Sequence, residues 1–398
     1  MLATTTRGGE GDRYLDAARE LGPRIAGAAD WIERERRLPD DLVADMDDAG
    51  LFRMLLPASL GGAELDLASY ARVVEELARA DGSVAWCVGQ ASGLSAVAAY
   101  LEPAVARSIF VETRPGILAN GPGERNRPGC AVAVDGGYRV SGRWNFASGC
   151  RHATWLQAIC QVESSDGRPT MAIEGEPNVR LMLFPKEQAT LIDTWQVSGL
   201  RGTGSFSFSV DGLFVPEPYA ACMTRQSRRE RGALYLSSSS GMFGPSFGSV
   251  ALGIAASMLE ALIGLARDKT PRGLGRTVRE SQTVQSVVAR AHARLSAARL
   301  LLQHTLREVR AESERAGALD VSGQVRVRLA STHATHEAAA AADAAYAAAG
   351  STAIFADQPF ERRFRDIHAV TQQLQGRAAH YETVGRYLLG LDPDSPFL

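Results

Sequence analysis

The sequence predicts an α+β fold with three consecutive domains, helical at both ends and β in the middle. Apolar residues recur at helical spacing from Tyr14 to about Leu101. Between about Pro115 and Pro218 the pattern changes to short alternating segments separated by glycine turns. After Arg231 the helical period returns and lasts nearly to the end. We therefore place the three domains at residues 1–114, 115–230 and 231–398.

The length, composition and net charge of the chain restrict the classes of protein to which it can belong. A chain of 398 residues with 45% hydrophobic and 22% charged residues is long enough for two or three domains with cores. The formal net charge of −2 gives no reason to expect nucleic acid or an anionic membrane surface as a partner. The chain has no uninterrupted apolar run of about 18 residues and no signal-like start, so we expect a cytoplasmic protein without a membrane span. Five widely spaced cysteines predict neither disulfides nor a zinc site.

The first helical region divides at a turn. Leu42, Met46 and Leu51 follow a helical period, and Pro57 with Gly61-Gly62 interrupts it before a second apolar run. The glycines supply the backbone freedom that a tight turn between two helices requires.

The middle region reads as strands. The segments Ala131–Val134 and Tyr138–Val140 flank Asp135-Gly136-Gly137, which predicts a hairpin. A further alternating segment, Ser205–Val210, is followed by Asp211-Gly212, which we expect to end the strand. Gly202-x-Gly204 in the same region lacks a third glycine and a following helix, so a dinucleotide-binding Rossmann domain is disfavoured.

The last region predicts three long helices, Phe247–Asp268, Gln282–Ala316 and Val321–Ala349. Alanines dominate Glu337–Ala349, either because alanine is a good helix former or because this face packs closely against another helix or subunit. His333 and His336 are one helical turn apart, but no carboxylate pair accompanies them, so we predict no metal.

The motifs of the helical, β, helical order resemble the acyl-CoA dehydrogenase family over nearly the whole chain. Leu38-Pro39, Asp48–Leu51 and Leu56–Gly62 are similar to its N-terminal signature. Ala80–Ser83 with Trp86 is closer to its flavin-dependent monooxygenase branch, the two-component hydroxylases. The resemblance implies an N-terminal α-helical domain, a middle β-barrel domain and a C-terminal four-helix bundle.

Two blocks in the β region resemble the family's flavin-binding segments. Gly137–Gly149 is similar to the strand and loop that cover the flavin ring, which implies that Phe146 packs on the isoalloxazine while Ala147, Ser148 and Gly149 let the backbone approach it. Trp195–Ser205 looks like the loop that borders flavin and substrate, and from it we take Trp195 and Ser205 as cofactor-binding residues.

A third block, Gly275–Gln285, resembles the helix start that reaches the cofactor of a neighbouring subunit. Together with the alanine-rich C-terminal helices, the resemblance implies a homotetramer or at least a dimer, and a cofactor role for Gln282. The family's pyrophosphate arginine is displaced by one residue, so either Arg272 or Arg276 would meet the phosphate. We take Arg272 as the cofactor-binding residue, and FMN stands beside FAD as the flavin.

The residues for thioester dehydrogenation are missing. That reaction requires a carboxylate base, yet no carboxylate follows Asp366 until Glu382, and Gln375 stands beside the expected glycine. Residues 234–259, the family's other site for the base, contain no acidic residue. Glu260 is the nearest substitute and keeps an acyl-CoA dehydrogenase with a relocated base as the alternative function. A catalytically silent scaffold is a third.

The C-terminal block Arg365–His368, with a closing Gly385–Gly390, resembles the monooxygenase branch. There, reduced FMN or FAD from a separate NAD(P)H:flavin reductase reacts with O₂ to a C4a-hydroperoxide that hydroxylates an aromatic or polycyclic small molecule. The resemblance implies three catalytic residues. His368 would exchange the proton, and Asn120 and Ser148 would hold flavin or peroxide. A core or capping role for His368, and an ordinary turn role for Asn120, remain open, and many branch members carry a second histidine where Gln373 stands.

Overall fold

The computed structural model describes residues 9–112, 116–171, 177–237, 239–273 and 275–393. The first region is helical, as predicted, and the predicted boundary at 114/115 lies outside the described residues. Its helices are α1 (Glu10–Glu35), α2 (Asp40–Asp48), α3 (Leu67–Ala80), α4 (Gly82–Ser95) and α5 (Pro103–Arg107). Asp66 and Asp81 begin α3 and α4 as N-caps, each accepting hydrogen bonds from backbone N–H groups of the first turn.

The middle region is an open mixed sheet, so the predicted β-barrel is wrong. Its strands are β1 (Leu118–Gly121), β2 (Cys130–Val134), β3 (Gly137–Ala147), β4 (Trp155–Glu163), β5 (Val179–Pro185), β6 (Thr190–Ile192), β7 (Phe206–Pro216) and β8 (Ala220–Ala221). The strand order is β6-β7-β3-β2-β4-β5-β8, with β1 beside β4. Closure would need the two end strands to pair, and among the described residues β6 and β8 are three- and two-residue strands without such pairing.

Two glycine turns in the sheet have different outcomes. Asp135-Gly136 joins β2 to β3 as predicted, with Val134 opposite Gly137 and Gly136 at φ 74°. Asp211-Gly212 does not end a strand. It lies inside β7, where the register with β3 shifts, and the Gly212 N–H donates to the hydroxyl of Ser141 at 2.8 Å. This is a β-bulge, which bends the strand without reversing the chain.

The last region is helical again. Its helices are α6 (Ser239–Asp268), α7 (Gln282–Ala316), α8 (Val321–Ala349), α9 (Pro359–Thr371) and α10 (His380–Leu388). The predicted bounds of α7 and α8 are confirmed, and α6 begins eight residues before the predicted start, with Pro245 inside it. Buried alanines of α8 confirm that this helix packs closely against its neighbours: Ala338, Ala341, Ala342, Ala345 and Ala349.

The helices of the two ends share one apolar core. Val74 of α3, Leu252 of α6 and Ala334 of α8 are all buried in the same cluster. A second cluster fills one face of the sheet, and a third lies between the sheet and the N-terminal helices. Because the terminal helices are packed together, a separate four-helix bundle at 231–398 remains a prediction.

One helix in the described part of the chain has the length and composition of a membrane span. It is Gly241–Asp268, with mean hydropathy 1.9 in its most apolar window. That window is 72% buried among other elements of the protein. The apolar surface of this helix is therefore largely covered by the helical core.

Candidate functional site

The end of β3 presents an exposed aromatic ring. Phe146 has φ 59°, in the left-handed region that costs a non-glycine residue free energy, and its side chain is 61% exposed. Its ring contacts the edge of the Trp195 ring, with centroids 6.0 Å apart. Ala147 and Ser148 follow as buried residues, and Gly149 has φ 75°. The local backbone thus turns a flat apolar ring outward beside small residues, which fits a planar cofactor.

A chain of hydrogen bonds runs through buried side chains, starting two residues after Phe146. The indole N–H of Trp86 donates to Ser148 Oγ at 3.0 Å, and Ser148 Oγ lies 2.8 Å from Ser205 Oγ. Ser205 Oγ lies 2.7 Å from Thr203 Oγ1, which donates to the carbonyl of Leu200 at 2.8 Å. The structure therefore brings together the predicted Ser148 and Ser205, and it adds Trp86 and Thr203.

All four contacts of this chain can be hydrogen bonds at the same time in only one direction of proton donation. An indole N–H can only donate and a carbonyl can only accept. Since Thr203 gives its proton to Leu200, Ser205 must donate to Thr203 and Ser148 must donate to Ser205. Ser148 Oγ accepts from Trp86 and retains one lone pair that has no donor among the described residues. Ser148 consequently offers a ligand an acceptor rather than a donor.

Trp86 also joins this chain to the C-terminal helices. Its ring stacks on Phe247 of α6 with centroids 4.0 Å apart, and Phe247 stacks in turn on Phe243 at 6.1 Å. From the sequence Trp86 was only a marker of the branch. The sequence signal for Trp86 was its position in the apolar helix that Asp81 caps, which indicates burial. Helical periodicity does not show which hydroxyl group its N–H contacts.

Asn120 lies on β1, where it meets the same helix. Its Oδ1 accepts from Gln90 Nε2 at 2.9 Å, and Gln90 lies one turn after Trp86 on α4. Residues four apart on a helix share a face. Asn120 and Ser148 are therefore bonded to successive turns of one face of α4, and this supports a common site for the two predicted residues.

The loop before β7 is held in place by a buried carboxyl group. Leu200 has φ 52°, and its N–H donates to Asp366 Oδ1 at 2.6 Å, while its carbonyl accepts from Thr203 and from Trp195 Nε1. Burial, followed by the nearby carboxyl group of Asp81, raises the pKa of Asp366 to about 7. Asp366 thus connects α9 to the hydroxyl chain through one residue, Leu200.

His152 lies in the turn between β3 and β4 and is neutral at ordinary pH. Burial, with a smaller contribution from the positive charge of Lys186, lowers the pKa of His152 to about 4. Gly149 is required beside it, because an added Cβ would lie 2.9 Å from His152 Nε2 and the glycine has a positive φ.

His368 lies on α9 but not on the side of Asp366. Two residues apart on a helix correspond to about 200° of rotation, so the two side chains point in roughly opposite directions. His368 Nε2 is 2.9 Å from Asp343 Oδ1, its ring packs against Phe364 with centroids 4.4 Å apart, and its side chain is 43% exposed. No contact joins it to Ser148 or Asn120 in the described residues, and its catalytic role stays a prediction.

Arg272 and Gln282 lie away from the hydroxyl chain. Arg272 is exposed in the turn after α6, and Gln282 is the exposed first residue of α7. Nearby, an open cavity of about 510 Å³ is lined by side chains of α6 and α7, among them Arg267, Arg279 and Gln285. The expectation that these residues reach the cofactor of a neighbouring subunit stays a prediction.

The two candidate positions for a dehydrogenase base hold no free carboxylate. Gln375 is buried and its amide oxygen accepts from Arg328 Nη1, a guanidinium whose pKa is lowered to about 10 by burial. Glu260 accepts from Arg79 Nη2 at 2.6 Å on an exposed helix surface. Neither arrangement supports proton abstraction next to the ring site.

Family models match both helical regions of the chain. The description "Acyl-CoA dehydrogenase, N-terminal domain" applies to residues 13–105, and "Acyl-CoA dehydrogenase, C-terminal domain" to residues 246–375. Between them the two matches span more than half of the sequence.

Three similar proteins cover the chain almost from end to end. An indole-3-acetate monooxygenase of Pseudomonas putida is 27% identical over 91% of this chain and 90% of its own. The oxygenase component of an FADH(2)-dependent resorcinol hydroxylase of Rhizobium sp. is 27% identical over 94% of this chain and 95% of its own. The structure of XiaF from Streptomyces sp. in complex with FADH2 and glycerol has a TM-score of 0.89, with 25% identity and 98% of each chain covered.

Proposed function

The chain belongs to the acyl-CoA dehydrogenase family, and from this premise we propose that its reaction is oxygenation of an aromatic or polycyclic small molecule. It is the oxygenase component of a two-component flavin-dependent monooxygenase. A separate NAD(P)H:flavin reductase supplies reduced FMN or FAD, and O₂ is the co-substrate. Relatives that cover most of the chain are named as monooxygenases, and one of them as an oxygenase component that depends on FADH(2).

The absence of a suitable base supports this choice over the dehydrogenase. An amide stands at Gln375, and an amide does not accept a proton at neutral pH. Glu260 is bound to Arg79 at the surface. An acyl-CoA dehydrogenase with a relocated base is therefore not favoured by either described position.

The observation that carries the proposal is the direction of the hydroxyl chain. Reduced flavin bears a proton on N5 and needs a hydrogen-bond acceptor beside it. Oxidised flavin has a lone pair on N5 and needs a donor there. Ser148 commits its proton to Ser205 and keeps an accepting lone pair. A site of this kind favours the reduced flavin that a separate reductase delivers.

Within the site each residue has a stated task. Reduced flavin, when bound, supplies the two electrons that activate O₂. Phe146 would pack on the flavin ring and Ser148 would accept from its N5–H, while Ser205 acts through Ser148 and Trp195 supports Phe146 and the Leu200 loop. Dipoles that are fixed before the cofactor arrives need no reorganisation during the reaction.

We further propose a cytoplasmic homotetramer in which Arg272 and Gln282 of one subunit meet the flavin of another. Both side chains are exposed in one chain, and the neighbouring cavity contains Arg267 and Arg279, which can meet phosphate groups. The contact between the half-buried Asn120 and Gln90 lies within one subunit. Each subunit would thus provide the ring site, and a partner would complete the phosphate end.

The reaction class can be tested with a supplied reductase. The purified chain, NADH, a flavin reductase and O₂ should convert a member of an aromatic library to a product heavier by one oxygen atom. No acyl-CoA in a test panel should be dehydrogenated to an enoyl-CoA, because the base is missing. Product masses and NADH consumption give the result. Enoyl-CoA formation without a reductase would overturn the proposal.

The hydroxyl chain can be tested without turnover. In Ser205→Ala, Ser148 loses the acceptor of its proton and can turn it toward oxidised N5. The ratio of the dissociation constants of oxidised and reduced FMN should fall about tenfold, the worth of one hydrogen bond. Anaerobic titrations of both states measure it, and the midpoint potential of bound flavin should fall by about 30 mV for a tenfold change of a two-electron couple.

Ser207→Ala is the matched control. Ser207 lies two residues further on, and its hydroxyl donates to Asn145 Oδ1 and contacts Thr194 Oγ1, outside the chain that reaches Ser148. It should leave the ratio unchanged. A ratio in Ser205→Ala equal to that of the native protein would show that the direction of donation does not select the redox state.

A further inference from the structure

A buried amide on β4 has an acceptor without a donor. Gln157 is 4% exposed, and its Oε1 has no hydrogen-bond partner in the part of the chain that the structure describes. Leaving a buried carbonyl oxygen unsatisfied costs free energy, and native proteins keep few such groups without a reason. An unmet buried acceptor is therefore a candidate contact for a ligand.

The side chain of Gln157 faces the helices and not the core of the sheet. Its neighbours Leu156 and Ala158 belong to the cluster that fills the sheet's inner face, and successive side chains of a strand point to opposite faces. In register with it stand Asn120 on β1 and Leu183 on β5. Leu183 lies in the cluster between the sheet and the N-terminal helices.

Gln157 thus lies beside the amide pair of the candidate site. Register partners on parallel strands point to the same side, so Asn120 and Gln157 form a row across β1 and β4. Asn120 is already bonded to Gln90, which is half-buried, as Asn120 is. The row therefore connects a buried acceptor to groups that solvent or a ligand can reach.

Successive turns of α4 carry the partners of the ring site and of this row. Gln90 and Trp86 are separated by one helical turn, a rise of about 6 Å. Trp86 bonds Ser148, and Gln90 bonds Asn120 beside Gln157. An aromatic ring is of about this width, so a ring between the two turns would meet the flavin side at one edge and the amides at the other.

Aromatic side chains line the same layer. Phe243 and Phe247 are stacked with an interplanar angle of 15°, and Phe247 stacks on Trp86. Gly93 permits the approach of Phe243, because an added Cβ would lie 2.4 Å from its ring. Flat apolar walls with one polar row favour an aromatic ligand with a single polar edge.

We propose that Gln157 Oε1 accepts a hydrogen bond from an O–H or N–H group on the substrate ring, so that this residue selects donor-bearing aromatics over isosteres that lack the donor. This inference rests on the proposed function, because that function is what makes the bound aromatic ligand a substrate. The binding contact itself does not depend on oxygenation. Asn120 and Gln90 hold the row in place, and Gln157 supplies the acceptor that distinguishes donor-bearing ligands.

The first test is stability, because a ligand-binding acceptor and a structural amide predict opposite results. Gln157→Met keeps the length of the side chain and removes the unmet acceptor, so its melting temperature should equal or exceed that of the native protein. The control is Gln161→Met on the same face of β4. Gln161 Nε2 donates to the carbonyls of Val162, Thr170 and Asn178, so its loss should lower the melting temperature by several degrees.

The second test is ligand binding with an isosteric pair of probes. Indole carries an N–H where benzofuran has an oxygen, and their shapes are nearly equal. Calorimetric titration of the flavin-loaded, anaerobic protein should show about tenfold tighter binding of indole in the native protein. In Gln157→Met the two constants should agree within about twofold, and flavin affinity should be unchanged.

The outcomes separate this inference from the proposed function. A native protein without preference for indole, or a Gln157→Met variant that keeps the full preference, overturns the inference. So does a loss of stability in Gln157→Met as large as that in Gln161→Met, since it would reveal a protein partner. None of these measurements requires turnover, so a chain that fails to oxygenate can still show the predicted contact.

Discussion

Replacing Asp366 with asparagine is expected to make the protein more stable above neutral pH and to leave its stability in acid nearly unchanged. The carboxyl group is buried and its pKa is raised to about 7 by burial and by the nearby Asp81. Asparagine keeps an oxygen that can accept from the Leu200 N–H at the 2.6 Å position of Asp366 Oδ1. The substitution therefore removes the ionisation and retains the contact.

The pH window follows from the two pKa values of this group. The unfolded chain ionises Asp366 near the ordinary aspartate pKa of 3.8, while the folded chain holds the proton until about pH 7. Between these values the folded state binds more protons, so the free energy of unfolding falls as pH rises. A shift of this size corresponds to a few kcal/mol, at most about 4. Asp366→Asn lacks this loss, and urea unfolding between pH 4 and pH 8 measures the growing difference from the native protein.

Asp193→Asn is a contrast with the opposite sign. Hydrogen bonding from Arg36 lowers the pKa of Asp193, so the stability that it contributes is present above its unfolded pKa and is lost as the pH falls. Removing that carboxylate should destabilise the protein at neutral pH and matter less in acid. A constant difference between the free energies of unfolding of Asp366→Asn and the native protein from pH 4 to pH 8 would contradict a raised pKa for Asp366.

The helices were predictable because their signals are local. Apolar spacing within Gln282–Ala316 and Val321–Ala349 gave both helices, and Gly317 at φ 67° and Asp320 as an N-cap mark the short break between them. The start of α6 was missed because Pro245 reads as a boundary. Burial of both helix faces in the shared core outweighs the lost hydrogen bond there.

The sheet was predicted as strands but not as an open sheet. Alternation reveals which residues share a face, yet closure depends on whether the end strands can pair. Asp211-Gly212 misled in a similar way. A glycine with positive φ serves a turn and a bulge equally, and only the pairing with Ser141 on β3 distinguishes them.

The site was predicted in part, because its residues come from distant segments. Ser148 and Ser205 were identified from loop patterns, and they are bonded to each other. The residues that set the direction of their hydrogen bonds were not identified from the sequence. Trp86 is 62 residues from Ser148, and Asp366 is 166 residues from Leu200. A helical period shows that such residues are buried but does not show which faces of which elements meet.

Replacing His368 with alanine is expected to lower the oxygenation rate by roughly 10² to 10⁴ if this histidine exchanges the proton of the reaction. Its Nε2 lies 2.9 Å from Asp343 Oδ1. An ionised carboxylate can only accept, so Nε2 carries the proton and Nδ1 is left as the base. Binding of reduced flavin and consumption of O₂ should continue, with the electrons lost as H₂O₂, because Phe146 and Ser148 are untouched. The yields of product and of H₂O₂ per NADH consumed measure how the electrons are shared between oxygenation and peroxide release.

A matched pair of controls separates catalysis from surface charge. His304 is also an exposed helical histidine whose Nε2 lies against a carboxylate, 3.1 Å from Glu308 Oε1, and His304→Ala should oxygenate at the native rate. Asp343→Asn keeps the size of the partner but removes the charge that fixes the tautomer of His368, so its rate should fall less than that of His368→Ala. A His368→Ala variant with native rate and native yield of product would show that the histidine only packs against Phe364, and that the proton is exchanged by another group.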